Sequence, residues 1–405
     1  MLRVAIVGCG KIADAHAAQI QHIPGCQLVA ACDQEELMAR QFCERFGVEA
    51  HFSDVVEMLA RSTPDVVHIT TPPQSHFSLG KACLSSGCHV FIEKPFTVRA
   101  WEASELVALA QCNGLKLTVG HDAQFSHAAR RLRQLARSGY LGGPPVHMES
   151  SYCYDLSDPA YARAFLSDRR HWVRALPGKL LQNIVSHGLA RIAEFLADDD
   201  PQVVPIAFAS AALAATGEEG LFDELRVIVR ARNGSTAYFT FSSQMRPLLH
   251  EFRVYGPRNG AILDDDHQTV IRCRGQNYKS YADRFIPPVD AAWQNLRNVG
   301  FNARKFFAKD FHIKGGLRHL IGCFYQSIRE DDVPPIPYRE ILLTSRLMDS
   351  IFAQVYGREP EGAGAPAQQS PVARSAFGDP ASVSLSPCAA SIRDLGETAG
   401  AGDTE

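Results

Sequence analysis

A chain of 405 residues has length for two domains and buries a core without disulfide staples. Its 41 Lys and Arg against 44 Asp and Glu leave a net charge of −3, with no long run of one sign; this excludes a protein that holds nucleic acid on a broad basic face. Eleven cysteines without CxxC pairs or metal-ligand spacing point to a reducing, cytoplasmic setting and no metal site, and no apolar run nears the ~18 residues of a membrane span.

The opening, Met1 to Gly8, reads as a strand running into a glycine turn, not as a signal peptide. Further apolar runs follow at 27–33, 65–70, 89–94 and 115–120. None alternates with polar residues, as expected of parallel strands covered on both faces. Helical stretches between them stop at Gly47, Gly87 and Gly114, and Ser53 is placed to cap a helix that starts at Asp54. Such alternation predicts a doubly wound parallel sheet of Rossmann type over residues 1–122.

Past residue 122 the texture is α+β, over 123–356. A helix near 125–138, a strand near 146–154 and a helix near 180–196 precede a hairpin, 224–232 with 235–243, turning at Asn233-Gly234. A second Asn-Gly, Asn259-Gly260, lies between further strands of a mainly antiparallel sheet. Segments near 291–308, 315–329 and 338–356 are amphipathic helices. The stretch Trp293 to Lys309 carries Arg297, Arg304, Lys305 and Lys309, and reads as a packed helix with a solvated polar face. Asp264-Asp265-Asp266 reads as a hydrated turn. From 357 to 405, Ala, Gly, Pro and Ser dominate, so this tail is expected to be disordered.

Gly8-Cys9-Gly10-Lys11-Ile12-Ala13 joins the first strand to the first helix. Its first glycine permits the tight turn, its second the approach of a pyrophosphate, and the helix N-terminus supplies free N–H groups. Asp33 closes the second strand, twenty residues after Ala13, where a carboxylate meets an adenosine ribose. It also repels a 2′-phosphate, so NAD is preferred over NADP.

Two later segments, Ile69-Thr70-Thr71-Pro72-Pro73-Gln74-Ser75-His76 and Val90-Phe91-Ile92-Glu93-Lys94-Pro95, complete a pattern. With the glycine turn they resemble the Gfo/Idh/MocA oxidoreductases, relatives of glucose–fructose oxidoreductase and inositol dehydrogenase, over residues 1 to about 355. The resemblance implies a cofactor held by Gly8, Gly10, Lys11, Ile12, Asp33, Thr70, Thr71, Pro72, His76, Glu93, Lys94 and His121. It sets Lys94 beside the nicotinamide and the substrate hydroxyl, with a cis bond before Pro95. In Gly178 to His187 the family pattern has an aspartate where Asn183 stands and a second glycine where Lys179 stands. Asn183 and His187, four apart on one helix, then share a face, with His187 the general base and Lys94 polarising the oxygen. Tyr152, Tyr154, Arg169, His171 and Trp172 border the same region and suit a hydroxylated ligand.

The implied activity is hydride transfer at a secondary carbon of a sugar, nucleotide-sugar or polyol, by a homodimer or homotetramer. Two alternatives stay open at this point: an NAD-retaining glycosidase or epimerase with no net redox change, and a non-catalytic dinucleotide-binding regulator.

Overall fold

The computed structural model describes residues 1–155, 168, 170–275, 278, 279, 281–312 and 314–357. Arg169 and the expected disordered tail beyond Gly357 lie outside these. Met1 to Arg358 forms one compact unit.

Six parallel strands build the first sheet: β1 Leu2–Val7, β2 Cys26–Cys32, β3 Ala50–Phe52, β4 Val66–Ile69, β5 His89–Ile92 and β6 Leu117–Val119. Their order is β3-β2-β1-β4-β5-β6. The order reverses direction between β1 and β4, which opens a crevice at the strand ends there. Val4, Ala5, Ile6, Val66, Val67, Val90, Phe91 and Ile92 are all at 0% exposure, which accounts for the unalternating runs. Helices α1 Lys11–Ile20, α2 Glu36–Phe46, α3 Val55–Ser62, α4 His76–Ser85 and α5 Ala100–Cys112 connect the strands. The cap of α3 is Asp54 and not Ser53, because the Asp54 carboxylate accepts the Glu57 N–H at 2.8 Å.

A seven-stranded sheet follows, made of β7 His147–Tyr152, β8 Gln202–Phe208, β9 Glu224–Arg230, β10 Thr236–Ser242, β11 His250–Tyr255, β12 Asn259–Asp264 and β13 Thr269–Arg274. Its order is β13-β12-β11-β7-β10-β9-β8, with β7 and β10 parallel and the other neighbours antiparallel. The β9–β10 hairpin turns at Asn233-Gly234 as expected, with Gly234 at φ +88°. Asn259-Gly260 instead begins β12, since Tyr255 pairs with Gly260 and the turn spans the residues between.

Helices α6 His127–Arg137, α7 Lys179–Ile184, α8 Ser186–Phe195, α9 Ala211–Ala214, α10 Ala282–Phe307, α11 Gly315–Arg329 and α12 Tyr338–Val355 complete the described elements. The single helix expected near 180–196 is two, so Asn183 and His187 belong to different helices. Helix α11 packs Leu320, Ile321 and Phe324 into the core of the parallel sheet, while α12 puts Leu347, Ile351 and Phe352 into the second core.

Helix α10 departs from the expected packing. Its buried positions are Gln294 and Asn298, and its large apolar residues face water. The reason lies at the edge of β13. Gln294 accepts the Arg272 N–H at 2.8 Å and donates to its carbonyl at 3.1 Å; Asn298 does the same for Val270 at 3.3 and 3.1 Å. Two side-chain amides thus stand in for a further strand and cover the edge. Asn298→Ala, which unpairs these groups and Arg131, should destabilise the fold by about 1–3 kcal/mol in urea unfolding. A change within error would show that water replaces the amide.

Candidate active site

Gly8 has φ +92°, and a Cβ there would lie 2.7 Å from the Thr71 methyl and 2.8 Å from its nitrogen. Only glycine fits. Gly10, extended at the N-cap of α1, faces open space with nothing within 4 Å of a Cβ position. That free space, beside first-turn N–H groups no helical carbonyl can reach, fits a pyrophosphate. Lys11 and Ile12 form that first turn. Asp33 accepts the Cys9 N–H at 2.7 Å on one oxygen and the Glu35 N–H at 3.0 Å on the other. It therefore fixes the turn, while each oxygen keeps a lone pair for a ribose hydroxyl.

The loop after β4 is braced from below. Thr70 donates its hydroxyl to the Gly8 carbonyl at 2.6 Å, and Pro72 leads into a short turn. His76, fully buried, meets the Thr71 carbonyl at 2.9 Å and the Pro95 carbonyl at 3.0 Å. It ties the two family-motif loops together as a positioning residue.

Lys94 follows β5 with a cis bond to Pro95. Its ammonium donates to the Asn183 carbonyl at 3.0 Å. Burial lowers its pKa against the opposing pull of Glu93 and Asp122. His187, at the start of α8, stacks on Tyr152 with centroids 5.3 Å apart, and its Nδ1 lies 3.9 Å from Asp122. His121 stands edge-on to it at 5.8 Å. Burial drives the His187 pKa well below its usual value, reinforced by Lys94 and His121, and pushes His121 down to about 4. Both rings are therefore neutral at pH 7. His187 Nδ1 and His121 Nε2 are buried without a hydrogen-bond partner among the described residues, as groups awaiting a ligand would be. Asp122 is raised by burial despite Lys314, whose ammonium is 3.9 Å away.

Beneath Lys94 runs a buried chain of four side chains. Glu93 meets His16 Nε2 at 2.9 Å, His16 Nδ1 meets His68 Nδ1 at 2.8 Å, and His68 Nε2 meets the Tyr325 hydroxyl at 2.8 Å. Burial keeps His68 neutral, and one tautomer set satisfies every link: Tyr325 donates to His68, His68 to His16, and His16 to Glu93. Burial alone would raise Glu93, but His16 and Lys94 outweigh it and hold the carboxyl below its usual range. Gly120 passes directly against this carboxylate, leaving no room for a side chain.

Of the expected ligand contacts, Trp172 and His171 stack together, and the Trp172 carbonyl accepts from Gln74 at 2.8 Å, next to the Thr71–Pro72 loop. Tyr154 is partly exposed just past β7. Asn183 reaches the cluster through its carbonyl. Lys179 holds φ +48°, a left-handed backbone that explains the glycine of the family pattern. Asp265 is no hydrated carboxylate: it pairs with buried Arg191, one turn after His187, and accepts from Ser126 at 2.8 Å. Asp266 pairs with His250 and Asp264 with His267. Lys314 and Arg191 escaped the sequence reading. The Gly315-Gly316 doublet was a usable signal for Lys314, because Gly316 packs on the Asp122 carbonyl.

Residues 2–121 match the family described as "Oxidoreductase family, NAD-binding Rossmann fold". The chain is 33% identical over 142 residues to D-glucoside 3-dehydrogenase of Escherichia coli K12, covering 35% of this chain and 40% of that one. It is 26% identical over 323 residues to myo-inositol 2-dehydrogenase of Thermotoga maritima, covering 73% and 89%. The fold resembles that of the Bordetella pertussis WlbA dehydrogenase, solved with NADH and UDP-GlcNAcA, at TM-score 0.68 and 17% identity, covering 88% and 95%.

Two outcomes follow from this geometry. Asp33→Ala should weaken NAD more than NADP in binding titrations; an unchanged preference would remove the ribose contact. The unfolded chain protonates histidine near pH 6.5, whereas His121 stays neutral to about 4. Between those values the unfolded state binds more protons, so stability falls as pH drops, by about 3 kcal/mol from this group. His121→Asn should flatten the dependence of unfolding free energy on pH between 6.5 and 4. Equal slopes would contradict the burial of a neutral ring.

Proposed function

We propose that this chain, which matches the NAD-binding model of the Gfo/Idh/MocA oxidoreductases over residues 2–121, works as a member of that family and oxidises or reduces a secondary carbon of a sugar-like substrate with NAD. The observation that carries this reading is the cluster of Lys94, neutral His187 and neutral His121, linked through His76 and Thr71 to the glycine turn that Asp33 braces. The nicotinamide, when bound, supplies the hydride acceptor.

The protein's own groups handle the proton. Lys94 donates a hydrogen bond to the substrate oxygen, and its lowered pKa brings proton exchange closer to neutrality. His187, neutral and stacked on Tyr152, takes the hydroxyl proton as the C–H electron pair leaves, which yields a ketone and an imidazolium. Asp122, 3.9 Å from His187 Nδ1, stabilises that positive charge in place of the aspartate that Asn183 replaces. Cofactor contacts are assigned to Gly8, Gly10, Lys11, Ile12, Asp33, Thr71, Pro72 and His121; Thr70, His76 and Glu93 hold them in place. Residues 1–122 bind the cofactor and 123–356 the substrate. Val204, Ile206, Phe208, Ile228 and Tyr238 expose an apolar row on the open face of the second sheet, which suits a homodimer or homotetramer. We assign a cytoplasmic location on the ten described free cysteines; among the described residues no helix is long and apolar enough to cross a membrane.

Incubation with NAD and a panel of sugars, polyols, uronates and nucleotide-sugars should give reduced nicotinamide with at least one of them. Lys94→Ala should then lose at least about a hundredfold in kcat. The acid limb of the wild-type profile should have its midpoint below pH 6.5, since protonation of His187 stops the reaction. No turnover and no thermal shift across the panel, or a Lys94→Ala variant of normal rate, would reject the proposal.

A further inference from the structure

Helix α10 turns its apolar side to solvent along its length. Phe285, Val289, Trp293, Leu296, Phe306 and Phe307 are each 55–81% exposed. At 100° per residue most of them cluster on the side opposite Gln294 and Asn298, the two residues that bond the β13 edge. The helix is thus pinned by its polar edge and presents a stripe about 33 Å long from Phe285 to Phe307, at 1.5 Å per residue. A stripe of this kind is a contact surface in waiting.

Charge decides what covers it. Between 279 and 314 there are seven Lys and Arg but three Asp, in a chain whose net charge is −3. Arg297 and Arg304 border the stripe by their helical positions, and Arg297 joins Arg131 and Arg272 around a cleft of about 440 Å³ under the helix. Aromatic and aliphatic residues flanked by cations, on one side of a long helix, match a helix lying in the headgroup layer of an anionic bilayer. No described helix is long and apolar enough to cross a membrane, so the helix would lie on it. Pairing with a second copy of the same stripe would set two cationic segments side by side. The apolar row of the second sheet lies at its β8 end, whereas α10 covers the β13 edge, so oligomerisation through that row leaves the stripe free.

We propose that α10 docks the protein on the surface of an anionic membrane through this cation-bordered apolar stripe. Lys314, seven residues beyond Phe307, reaches Asp122 beside His187. Docking therefore connects the bilayer to the proposed catalytic groups through one short stretch of chain.

The test is sedimentation of the full chain with vesicles of phosphatidylcholine containing about a third phosphatidylglycerol, and with phosphatidylcholine alone. Binding to the anionic vesicles should be at least tenfold tighter and should weaken with added salt. Val289→Asp with Leu296→Asp, at positions 67% and 63% exposed, should abolish binding while leaving the melting temperature, NAD binding and sedimenting mass unchanged. A wild type that ignores the anionic vesicles overturns the proposal. So does a double variant whose assembly falls apart, because the stripe is then a subunit interface. Arg297→Gln with Arg304→Gln should lower anionic-vesicle binding alone; unchanged binding by this fully folded variant would also sink it.

Discussion

The Glu93 carboxylate is the constraint around which the parallel half is arranged. A buried anion at the end of a central strand must be paired or it neutralises. Here it is held by His16 from α1, by the N–H of Lys94 and, at one and two removes, by His68 from β4 and Tyr325 from α11. One charge thus ties the helix of the glycine turn, strands β4 and β5 and a late helix into a single hydrogen-bonded set. The same packing brings Gly120 against the carboxylate and fixes where β6 delivers His121 and Asp122. The crevice at the glycine turn and the cluster of Lys94, His121 and His187 therefore share a foundation.

That foundation also explains the division of charge above it. Lys94 is paired with a carbonyl instead of a carboxylate, so burial acts on its ammonium with only distant compensation. Its positive charge, with those of Lys314 and Arg191, in turn disfavours an imidazolium at His187 in the resting state. Arg191 adds the least of these, since Asp265 offsets its charge, and it donates to the Ala123 carbonyl at 2.7 Å. A neutral imidazole beside a partly raised Asp122 is consistent with a base that acquires charge only as the reaction proceeds.

Much of the parallel half was legible because a strand buried on both faces leaves an unbroken apolar run, and positive φ selects glycine at 8, 47, 87 and 114. Strand β3, three residues long, is too short to leave a pattern. Asp54 and Ser53 are both competent caps, and only the 2.8 Å bond decides between them. In the site, Lys94, His187 and His121 were visible through motif and spacing. The chain from Glu93, itself a motif residue, through His16 and His68 to Tyr325 was not, because its members are 52, 77 and 257 residues apart in pairs and the last three carry no motif.

Helix α10 shows why periodicity can find a helix and still misplace its faces. The moment of the sequence locates an apolar side but carries no information about what the polar side meets. An open sheet edge offers N–H and C=O groups that apolar side chains cannot satisfy, so the edge of β13 selects Gln294 and Asn298 and turns the rest outward. Pro287 and Pro288 are the sixth and seventh residues of the helix, beyond the first turn, so they remove the bonds to the Asp283 and Arg284 carbonyls; the helix nevertheless begins nine residues before the periodic stretch suggested. An edge that demands amides and a solvent face that is apolar are then one fact: satisfying the sheet's hydrogen bonds leaves the hydrophobic residues for an outside partner.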